Sequence, residues 1–361
     1  MRVRSELSHN CSFACTLFII VGKQYNSRRG VTRLEPGTTM TLRWGLIGSG
    51  DIVRKRVAPA LRDLKQSELV GVCRGRADLA EAFAKEFGAR KWYPDVSTLV
   101  ADPEIDAVYI ATPVDLHAEH TIAAAKAGKH VLCEKPMAMN VKECNAMIEA
   151  CRTNGVALGI AYYRHMYPAI AAIKRIIASG EIGTVAVTQI NAFEYFDPAP
   201  DHPRHWFTVK ERAGGGPMFD FGCHRLEILV DVFGPVKDMT SVVGNVAPFD
   251  RDVEDTAIAV LSFERGSYAT LSVTHASNEP QDTLDIYGAL GSIHISPLNS
   301  GEVRVCVAGS ERVELLPPDA NIHAPLIAEF MEAVEAGRPP AVTGEMGRVV
   351  ADLEERIYRA K

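Results

Sequence analysis

The sequence predicts an α/β protein with a doubly wound parallel sheet, followed by an α/β domain whose open sheet is mostly antiparallel. Between residues 42 and 161, short runs that are apolar on both faces alternate with helical segments. After about residue 162 the segments are rich in β-branched and aromatic residues and are joined by tight links such as "ERGS" and "ALGS". The first pattern is typical of buried parallel strands with crossover helices, and the second is typical of antiparallel hairpins.

The first half contains five predicted strands and four predicted helices. The strands are expected at 42–48, 68–73, 106–112, 129–134 and 155–161, and the helices at 51–64, 77–88, 117–128 and 141–155. Each of the last three helices ends at a glycine, which is a common helix stop. The regular alternation predicts one domain over residues 40–161 with helices on both faces of its sheet.

The second half predicts one helix, a run of strands and two closing helices. The helices are expected at 168–183, 323–340 and 343–360, and the strands at 184–196, 255–263, 267–276, 282–289 and 291–296. These elements predict a second domain over residues 162–361. Its C-terminal helix is in a position to pack back on the first domain.

Length and charge restrict the function classes. A chain of 361 residues exceeds one ordinary core, so two domains are expected. The net charge of −6 argues against nucleic acid or an anionic membrane as a partner. The eight cysteines are scattered without a C-x-x-C pair, which predicts reduced thiols in a cytoplasmic protein.

The first 39 residues differ from the rest of the chain. The apolar run "CSFACTLFIIVG" is too short to span a bilayer, and Arg2 and Arg4 precede it. A signal peptide is therefore one interpretation, but no A-x-A-like cleavage site follows. Because Met40 begins "MTLRWGLIGSG", the preferred interpretation is that residues 1–39 come from an upstream start codon or form a loose tail.

The stretch "GLIGSGDIV" places a G-x-G at the junction of the first strand and the first helix. Glycine there lets the backbone approach a diphosphate, and the helix N-terminus supplies N–H donors. The predicted cofactor contacts are Gly48, Ser49, Gly50, Asp51 and Ile52. The usual third small residue is Val53 here, and a tight turn without a ligand is the alternative.

The end of the second strand carries Arg74 and Arg76, and no acid. A ribose with a free 2′-hydroxyl is normally held at this point by Asp or Glu, whereas a guanidinium suits a 2′-phosphate. The sequence therefore predicts NADP in preference to NAD. The alternative is that both arginines are only solvated.

Two further strand ends are predicted at the same edge of the sheet. "KHVLCEKP" places Glu134 and Lys135 there, and "ATPVDLH" places Thr112, Pro113 and His117 there. We expect all five residues to contact the cofactor, because the carboxyl ends of parallel strands face the ligand crevice. Lys135 would also reach the reacting oxygen. A surface lysine before a turn proline is the alternative.

The stretch "AGGGPMFDFGCHRLE" places Asp220 four residues before His224. On a helix this spacing puts both side chains on one face, where they can address one substrate hydroxyl. Histidine titrates near neutrality and suits a base that removes a hydroxyl proton. The glycines at 214–216 are interpreted as a flexible approach, and a satisfied core histidine is the alternative for His224.

The loop "DHPRHW" and the stretch "YYRHMYP" supply candidates for substrate contacts. His202 and His205 raise the question of a metal site, but no cysteine or H-E-x-x-H motif accompanies them, so no metal is predicted. Trp206, with the neighbouring Arg204, is expected to line the substrate site. The remaining substrate candidates are Tyr163 and Arg164. For Tyr163, a role in packing at the hinge is an equally good alternative.

The order G-x-G, E-K-P and G-G-G-x-x-x-D-x-G-x-H resembles the Gfo/Idh/MocA family of oxidoreductases. The resemblance covers residues 40–361 and includes the closing "AGRPPAVTGEMGRVVADLEERIY". It implies a Rossmann domain, a second domain whose sheet often forms oligomer contacts, and hydride transfer between a nicotinamide cofactor and a sugar-like hydroxyl compound. It also implies that Lys135 is the catalytic lysine, with a cis bond before Pro136, and that Asp220 and His224 are the acid and base.

We therefore expect an NADP-preferring dehydrogenase or reductase of sugars, polyols or related compounds, working as a homo-oligomer. His224 would take the hydroxyl proton, Asp220 would orient His224 and the substrate, and Lys135 would stabilise oxyanion charge. Two alternatives remain, both known among relatives. One is an NAD-dependent glycoside hydrolase that acts by transient oxidation, and the other is a cofactor-sensing regulator without catalysis.

Overall fold

The protein is described by a computed structural model over residues 40–359. It contains two sheets with helices packed on them, one sheet from each half of the chain. The fold class predicted from the sequence is therefore confirmed. The interpretations of residues 1–39 lie outside the described residues.

The first sheet has six parallel strands in the order β3-β2-β1-β4-β5-β6. They are β1 (Leu42–Ile47), β2 (Ser67–Cys73), β3 (Lys91–Tyr93), β4 (Ala107–Ile110), β5 (His130–Cys133) and β6 (Leu158–Ile160). The register pairs Ile47 with Ile110 and Ile110 with Cys133, so the ends of β1, β4 and β5 meet at one edge. The chain order reverses between β1 and β4, and such a point is where open α/β sheets bind ligands.

The helices of this half are α1 (Ala58–Asp63), α2 (Ala77–Phe87), α3 (Val96–Ala101), α4 (His117–Lys126) and α5 (Val141–Asn154). The single helix expected over 51–64 includes a π-helical turn at Val53–Val57, which precedes α1. Pro59 lies in the first turn of α1 and has no N–H to donate to the turn before it. β3 and α3 were not predicted, because the three residues of β3 are not an apolar run and the six residues of α3 are too few to show helical periodicity.

The second sheet has eight strands in the order β14-β13-β12-β11-β7-β10-β9-β8. They are β7 (Val185–Tyr195), β8 (Val236–Gly244), β9 (Thr256–Phe263), β10 (Tyr268–Thr274), β11 (Ala276–Gly288), β12 (Gly291–Ile295), β13 (Glu302–Val307) and β14 (Ser310–Leu315). Only β7 and β10 pair in parallel, so the sheet is mostly antiparallel. β8, β13 and β14 were not predicted, since they lie at or near the edges and have mixed exposure.

The helices of the second half are α6 (Pro168–Ala178), α7 (Lys210–Ala213), α8 (Cys223–Phe233), α9 (Ala324–Ala336) and α10 (Gly344–Arg359). α6 stops at Ala178, five residues before the expected end. α10 contacts α5 and β6 on one side and α8 and β8 on the other. The C-terminal helix thus joins the two sheet layers.

The described part of the chain contains free cysteines and helices too short or too polar to cross a membrane. The six cysteines within residues 40–359 are unpaired, and five of them are buried. Across the same residues, no helix is both long and apolar enough to cross a bilayer.

Candidate active site

The glycine turn after β1 forms an open cradle. Gly48 has a φ of +97°, and a Cβ at this position would collide with the carbonyl oxygen of Ala111. Around Gly50 nothing lies within 4 Å of where a Cβ would be, so the next step of the turn faces open space. The buried Oγ of Ser49 has no hydrogen-bond partner in the described structure. An orphaned hydroxyl beside open backbone fits the diphosphate of a dinucleotide.

The residues after the turn explain the missing third glycine. Asp51 and Ile52 are exposed at the start of the helical segment, and Asp51 pairs with Lys55 at 2.9 Å. Val53 is fully buried within the first half's core. Its side chain packs in the hydrophobic core, and the space at Gly50 stays open.

The two arginines beyond β2 have different surroundings. Arg76 is exposed, and its Nη2 lies 2.6 Å from Asp78 Oδ2. Arg74 is half-buried, and it makes no hydrogen bond or ion pair with any residue from 40 to 359. Of the two arginines, Arg74 is therefore the one whose guanidinium has no partner among the described residues.

The strand ends at β4 and β5 are tied together by His117. Its ring is 1% exposed, and its two nitrogens lie 2.9 Å from the carbonyl oxygens of Thr112 and Pro136. Neither nitrogen is left for a cofactor, so the contacts of His117 position the two loops instead. Thr112 and the adjacent Pro113 are half-buried at the same edge, near the glycine turn.

Glu134 is a buried carboxylate beneath the catalytic lysine candidate. Its Oε1 accepts a hydrogen bond from Tyr109 Oη at 2.8 Å, and its Oε2 accepts one from the Lys135 N–H at 3.2 Å. Burial alone would raise the pKa of Glu134, but His323, whose Nε2 lies 3.5 Å away, and Lys135 lower it. These contacts indicate that Glu134 positions Lys135. The Lys135–Pro136 bond is cis, as the resemblance implied.

Lys135 joins the first sheet to the helical segment of Asp220. Its Nζ donates to the main-chain oxygen of Asp220 and lies 3.5 Å from Asp220 Oδ1. Burial alone would lower the pKa of Lys135, but Cys223, Asp220 and Glu134 raise it, so the side chain stays an ammonium. Two groups from distant parts of the sequence are therefore in direct contact.

The carboxylate of Asp220 lies near an ammonium, a guanidinium and an imidazole. Arg204 Nη2 lies 3.5 Å from Asp220 Oδ2, and His275 Nε2 lies 3.8 Å from the same atom. Burial alone would raise the pKa of Asp220, but His275, Lys135 and Arg204 hold it well below its usual range. Asp220 is therefore ionised near neutrality.

His224 lies about one helical turn after Asp220 and has different neighbours. It is 2% exposed, and the ring centroids of Tyr162 and Tyr163 lie 5.6 and 4.7 Å from its own. Burial and the charges of Lys135 and Arg164 lower the pKa of His224 well below 6.5. The ring is therefore a neutral imidazole near pH 7, the form that can accept a proton.

The expected contact between Asp220 and His224 is not found. No hydrogen bond joins them in the described structure, and the buried Nδ1 of His224 has no partner there. Asp220 lies in a π-helical turn, Met218–Gly222, whereas His224 lies in α8. The carboxylate turns toward cationic neighbours, which stabilise it more than a neutral ring would.

Sequence reasoning missed His275 and Glu194. His275 follows β10, is 1% exposed, and its Nε2 lies 3.7 Å from Glu194 Oε1. Neither residue has a fixed spacing from Asp220 in the sequence, because the contact forms across strands of the second sheet. The one available signal was a histidine within an alternating strand pattern, and that signal is weak.

The loop before the triple glycine reaches the site through one of its arginines. Arg204 Cζ lies 4.4 Å from the ring centroid of Phe196, and its Nη2 contacts Asp220. Trp206 stacks on Phe207, with centroids 3.8 Å apart, and is half-buried. His202 Nδ1 accepts from the Arg204 N–H, and His205 Nδ1 lies 3.2 Å from the Pro198 oxygen. These two histidines thus make local contacts within the loop.

Tyr163 and Arg164 lie in a 3₁₀ turn, Tyr163–Met166, just after β6. The Tyr163 ring lies against His224 and against His323, 4.5 Å from the latter by centroids. Its hydroxyl accepts a hydrogen bond from Arg164 Nη1 at 2.8 Å. Both residues therefore adjoin the histidine expected to act as a base.

Two family models match this chain. The first, described as an oxidoreductase family with an NAD-binding Rossmann fold, matches residues 42–162, and the second, described as a C-terminal domain of the same family, matches residues 170–294. The chain belongs to the Gfo/Idh/MocA family. It is an NAD(P)-dependent oxidoreductase of the type that acts on CH–OH groups, with a nicotinamide cofactor.

Several characterised members of the Gfo/Idh/MocA family are similar to this chain. The 1,5-anhydro-D-fructose reductase of Ensifer adhaerens is 33% identical over 84% of this chain and 92% of its own length. The D-glucoside 3-dehydrogenase of Escherichia coli is 27% identical over 90% and 96%. The aldose-aldose oxidoreductase of Caulobacter crescentus, solved with glycerol, has a TM-score of 0.81 at 27% identity, covering 89% and 97%. These names are of dehydrogenases and reductases, and they favour neither the hydrolase nor the sensor alternative.

Proposed function

We propose that this enzyme moves a hydride between NADP(H) and a secondary alcohol or ketone of a sugar, polyol or related compound. The observation that carries the proposal is the contact of the Lys135 ammonium with the Asp220 carboxylate, with His224 near enough for Lys135 to lower the pKa of its ring. The names of the sugar-converting relatives support the same substrate class. When bound, the nicotinamide supplies the hydride acceptor or donor.

The residues of this chain would handle the proton and the charge. In the oxidation direction the neutral imidazole of His224 accepts the hydroxyl proton, and in reduction the same ring returns it. Lys135 stabilises negative charge on the reacting oxygen, and Asp220 holds the ammonium in place. Gly48, Ser49 and Gly50 would hold the diphosphate of the cofactor, where the open turn offers N–H groups.

A spectrophotometric screen tests this function. Sugars, polyols and keto-sugars are offered with NADP(H) and NAD(H) in parallel, and the change in nicotinamide absorbance is followed. Turnover with a stoichiometric absorbance change is expected. Release of sugar from a glycoside with no net absorbance change would instead identify a hydrolase, and cofactor binding without any turnover would identify a sensor.

Arg74 is the residue we propose for the preference for NADP. Arg74→Ala should raise KM for NADP by about 10- to 100-fold, because hydrogen bonds to a charged group contribute about 1.5–3 kcal/mol. KM for NAD should change far less, since NAD has no 2′-phosphate. Steady-state kinetics with both cofactors measure the difference.

Arg76→Ala is the matched control for this experiment, because its guanidinium already pairs with Asp78. Its effect on KM for NADP should be several-fold smaller than that of Arg74→Ala. A wild-type preference for NAD of tenfold or more in kcat/KM would contradict the proposal.

We also propose that the protein is a cytoplasmic homo-oligomer that uses the outer face of the second sheet. Four apolar side chains are 42–75% exposed on the adjacent strands β8, β9 and β10: Val242, Ile258, Val260 and Tyr268. A contiguous apolar sheet face of this kind is typical of a protein–protein contact.

Sedimentation equilibrium should give a mass above that of one chain, and Ile258→Lys with Val260→Lys should reduce it. A monomer at micromolar concentration would contradict the proposal.

A further inference from the structure

Arg164 is a buried cation beside the proposed base. It is 7% exposed, and its Cζ lies 5.0 Å from the ring centroid of Tyr163. The same ring lies 4.7 Å from that of His224. The Tyr163 ring therefore contacts both the guanidinium of Arg164 and the ring of His224, which would exchange the substrate proton.

Arg164 makes no ion pair in the described structure; burial alone would lower its pKa, but Tyr163 and Asp282, which lies beyond ion-pair distance, raise it. Its one hydrogen bond there is from Nη1 to the Tyr163 hydroxyl, and no carboxylate of residues 40–359 lies within ion-pair distance. Its buried Nε has no partner either. Burying a charge without a partner is costly, so this position is expected to meet an anion during function.

A second buried arginine shows the contrast. Arg225 is 4% exposed, and its Nη2 lies 2.5 Å from Asp282 Oδ1, while its Nη1 donates to the Phe221 oxygen at 3.0 Å. Arg225 thus has a direct carboxylate partner, although its Nε, like that of Arg164, has no partner among the described residues. Of the two buried guanidiniums, Arg164 is the one left without a carboxylate partner among residues 40–359.

The free edge of Arg164 defines the shape of the missing partner. Nη1 is occupied by Tyr163, so Nε and Nη2 remain, and these two N–H groups point in parallel from one edge of the guanidinium. Such an edge binds the two oxygens of a carboxylate side by side. Arg164 and Arg225 are both influenced by the single carboxylate of Asp282, so one further negative charge would balance the two guanidiniums. A phosphate dianion would leave excess negative charge in a buried site.

We propose that Arg164 binds a carboxylate of the substrate, and that the substrate is a polyhydroxylated carboxylic acid or its keto form. The carboxylate would lie against the Nε–Nη2 edge, and the reacting carbon would lie at His224. This inference rests on the proposed function, because it names the substrate class of the same site. It adds a specificity-determining residue to the reaction.

The experiment compares matched substrates that differ in the charged group. D-glucuronate is tested against D-glucose, and D-gluconate against D-sorbitol, with D-glucose 6-phosphate as the phosphate-bearing arm. In the wild-type enzyme, kcat/KM for the acid should exceed that for its neutral partner by about 10- to 100-fold. In Arg164→Met this ratio should fall toward one, and Arg164→Lys, which keeps the charge but loses the fork, should lie between.

Arg175→Met is the matched control. Arg175 lies on α6, its side chain is 59% exposed, and it pairs with Glu314 at 2.6 Å. Its removal takes away one arginine without touching the site, so the acid-to-neutral ratio should be kept. If Arg164→Met does not fold, the wild-type ratio still decides, together with the Kd of each ligand for the cofactor-bound enzyme measured by tryptophan fluorescence.

Each outcome has one meaning. Turnover of neutral sugars at rates equal to or above those of the acids would overturn the carboxylate site and leave the proposed function standing. Preference for the phosphate would overturn the assignment to a monoanion. Absence of turnover with every compound would count against the proposed function, and equal Kd values for acid and neutral ligands would then also overturn the site.

Discussion

Lys135→Met is expected to lower kcat by about 100-fold or more, while the Kd for the cofactor stays largely unchanged. The ammonium lies 3.5 Å from Asp220 Oδ1, and its neighbours hold it in the charged form. Methionine keeps the length and the apolar packing of the side chain but cannot stabilise charge on a substrate oxygen. Initial rates of nicotinamide absorbance and a fluorescence titration with cofactor measure the two quantities.

His224→Ala should give a loss of similar size, because it removes the neutral imidazole proposed to exchange the substrate proton, whose buried Nδ1 has no partner among the described residues. Since the pKa of His224 lies well below 6.5, the protein keeps the basic form as pH falls through 7. Oxidation by the wild-type enzyme should therefore not lose activity from this group until the pH is below 6.5.

The control for charge removal is Lys85→Met. Lys85 lies on α2 with a side chain 75% exposed, and it pairs with Glu81 at 2.8 Å. Its kcat should equal that of the wild type. Near-wild-type turnover in Lys135→Met or in His224→Ala would remove the proposed role of that residue.

Gly216→Ala is expected to destabilise the fold by about 3 kcal/mol or more. A Cβ on Gly216 would collide with the main-chain oxygen of Glu254, and the backbone cannot move away freely. The Gly216 N–H donates to Glu254 Oε2 at 2.8 Å, and Glu254 Oε1 is held by Tyr358 at 2.6 Å. Urea unfolding followed by circular dichroism measures the free energy.

Gly244→Ala is the control, because nothing lies within 4 Å of its Cβ position and its φ is not in the left-handed region. It should change the free energy of unfolding by less than about 0.5 kcal/mol. Equal stability of the Gly216 and Gly244 variants would show that the turn before Asp220 is loose. The triple glycine was first interpreted as flexible, but the structure packs it closely against Glu254, Phe219 and Tyr358.

The parallel sheet was predictable because each of its longer strands is apolar on both faces. β1, β2, β4, β5 and β6 lie in continuous apolar runs, and the alternation of these runs with helical segments identifies them. The second sheet was less predictable. Its parallel pair, β7 with β10, joins strands about 80 residues apart, and no local turn signal marks such a pairing.

The site was predictable where a motif fixes a residue at a strand end. Lys135 follows β5, and sequence order alone places it at the ligand edge. The partners of Asp220 were not predictable, because helix spacing gives the face of a residue but not what approaches from other elements. His275 comes from the end of β10 and Arg204 from a loop. Both contacts depend on tertiary packing.

The hydrogen bond from Lys135 to the main chain of Asp220 has a consequence for how substrate is received. The ammonium already has an oxygen acceptor within the protein, so an arriving hydroxyl exchanges one acceptor for another and gains little net enthalpy there. The tightness of the Michaelis complex must then come from the remaining contacts of the ligand. Lys135 would distinguish good from poor substrates chiefly in the transition state, when the oxygen becomes negatively charged.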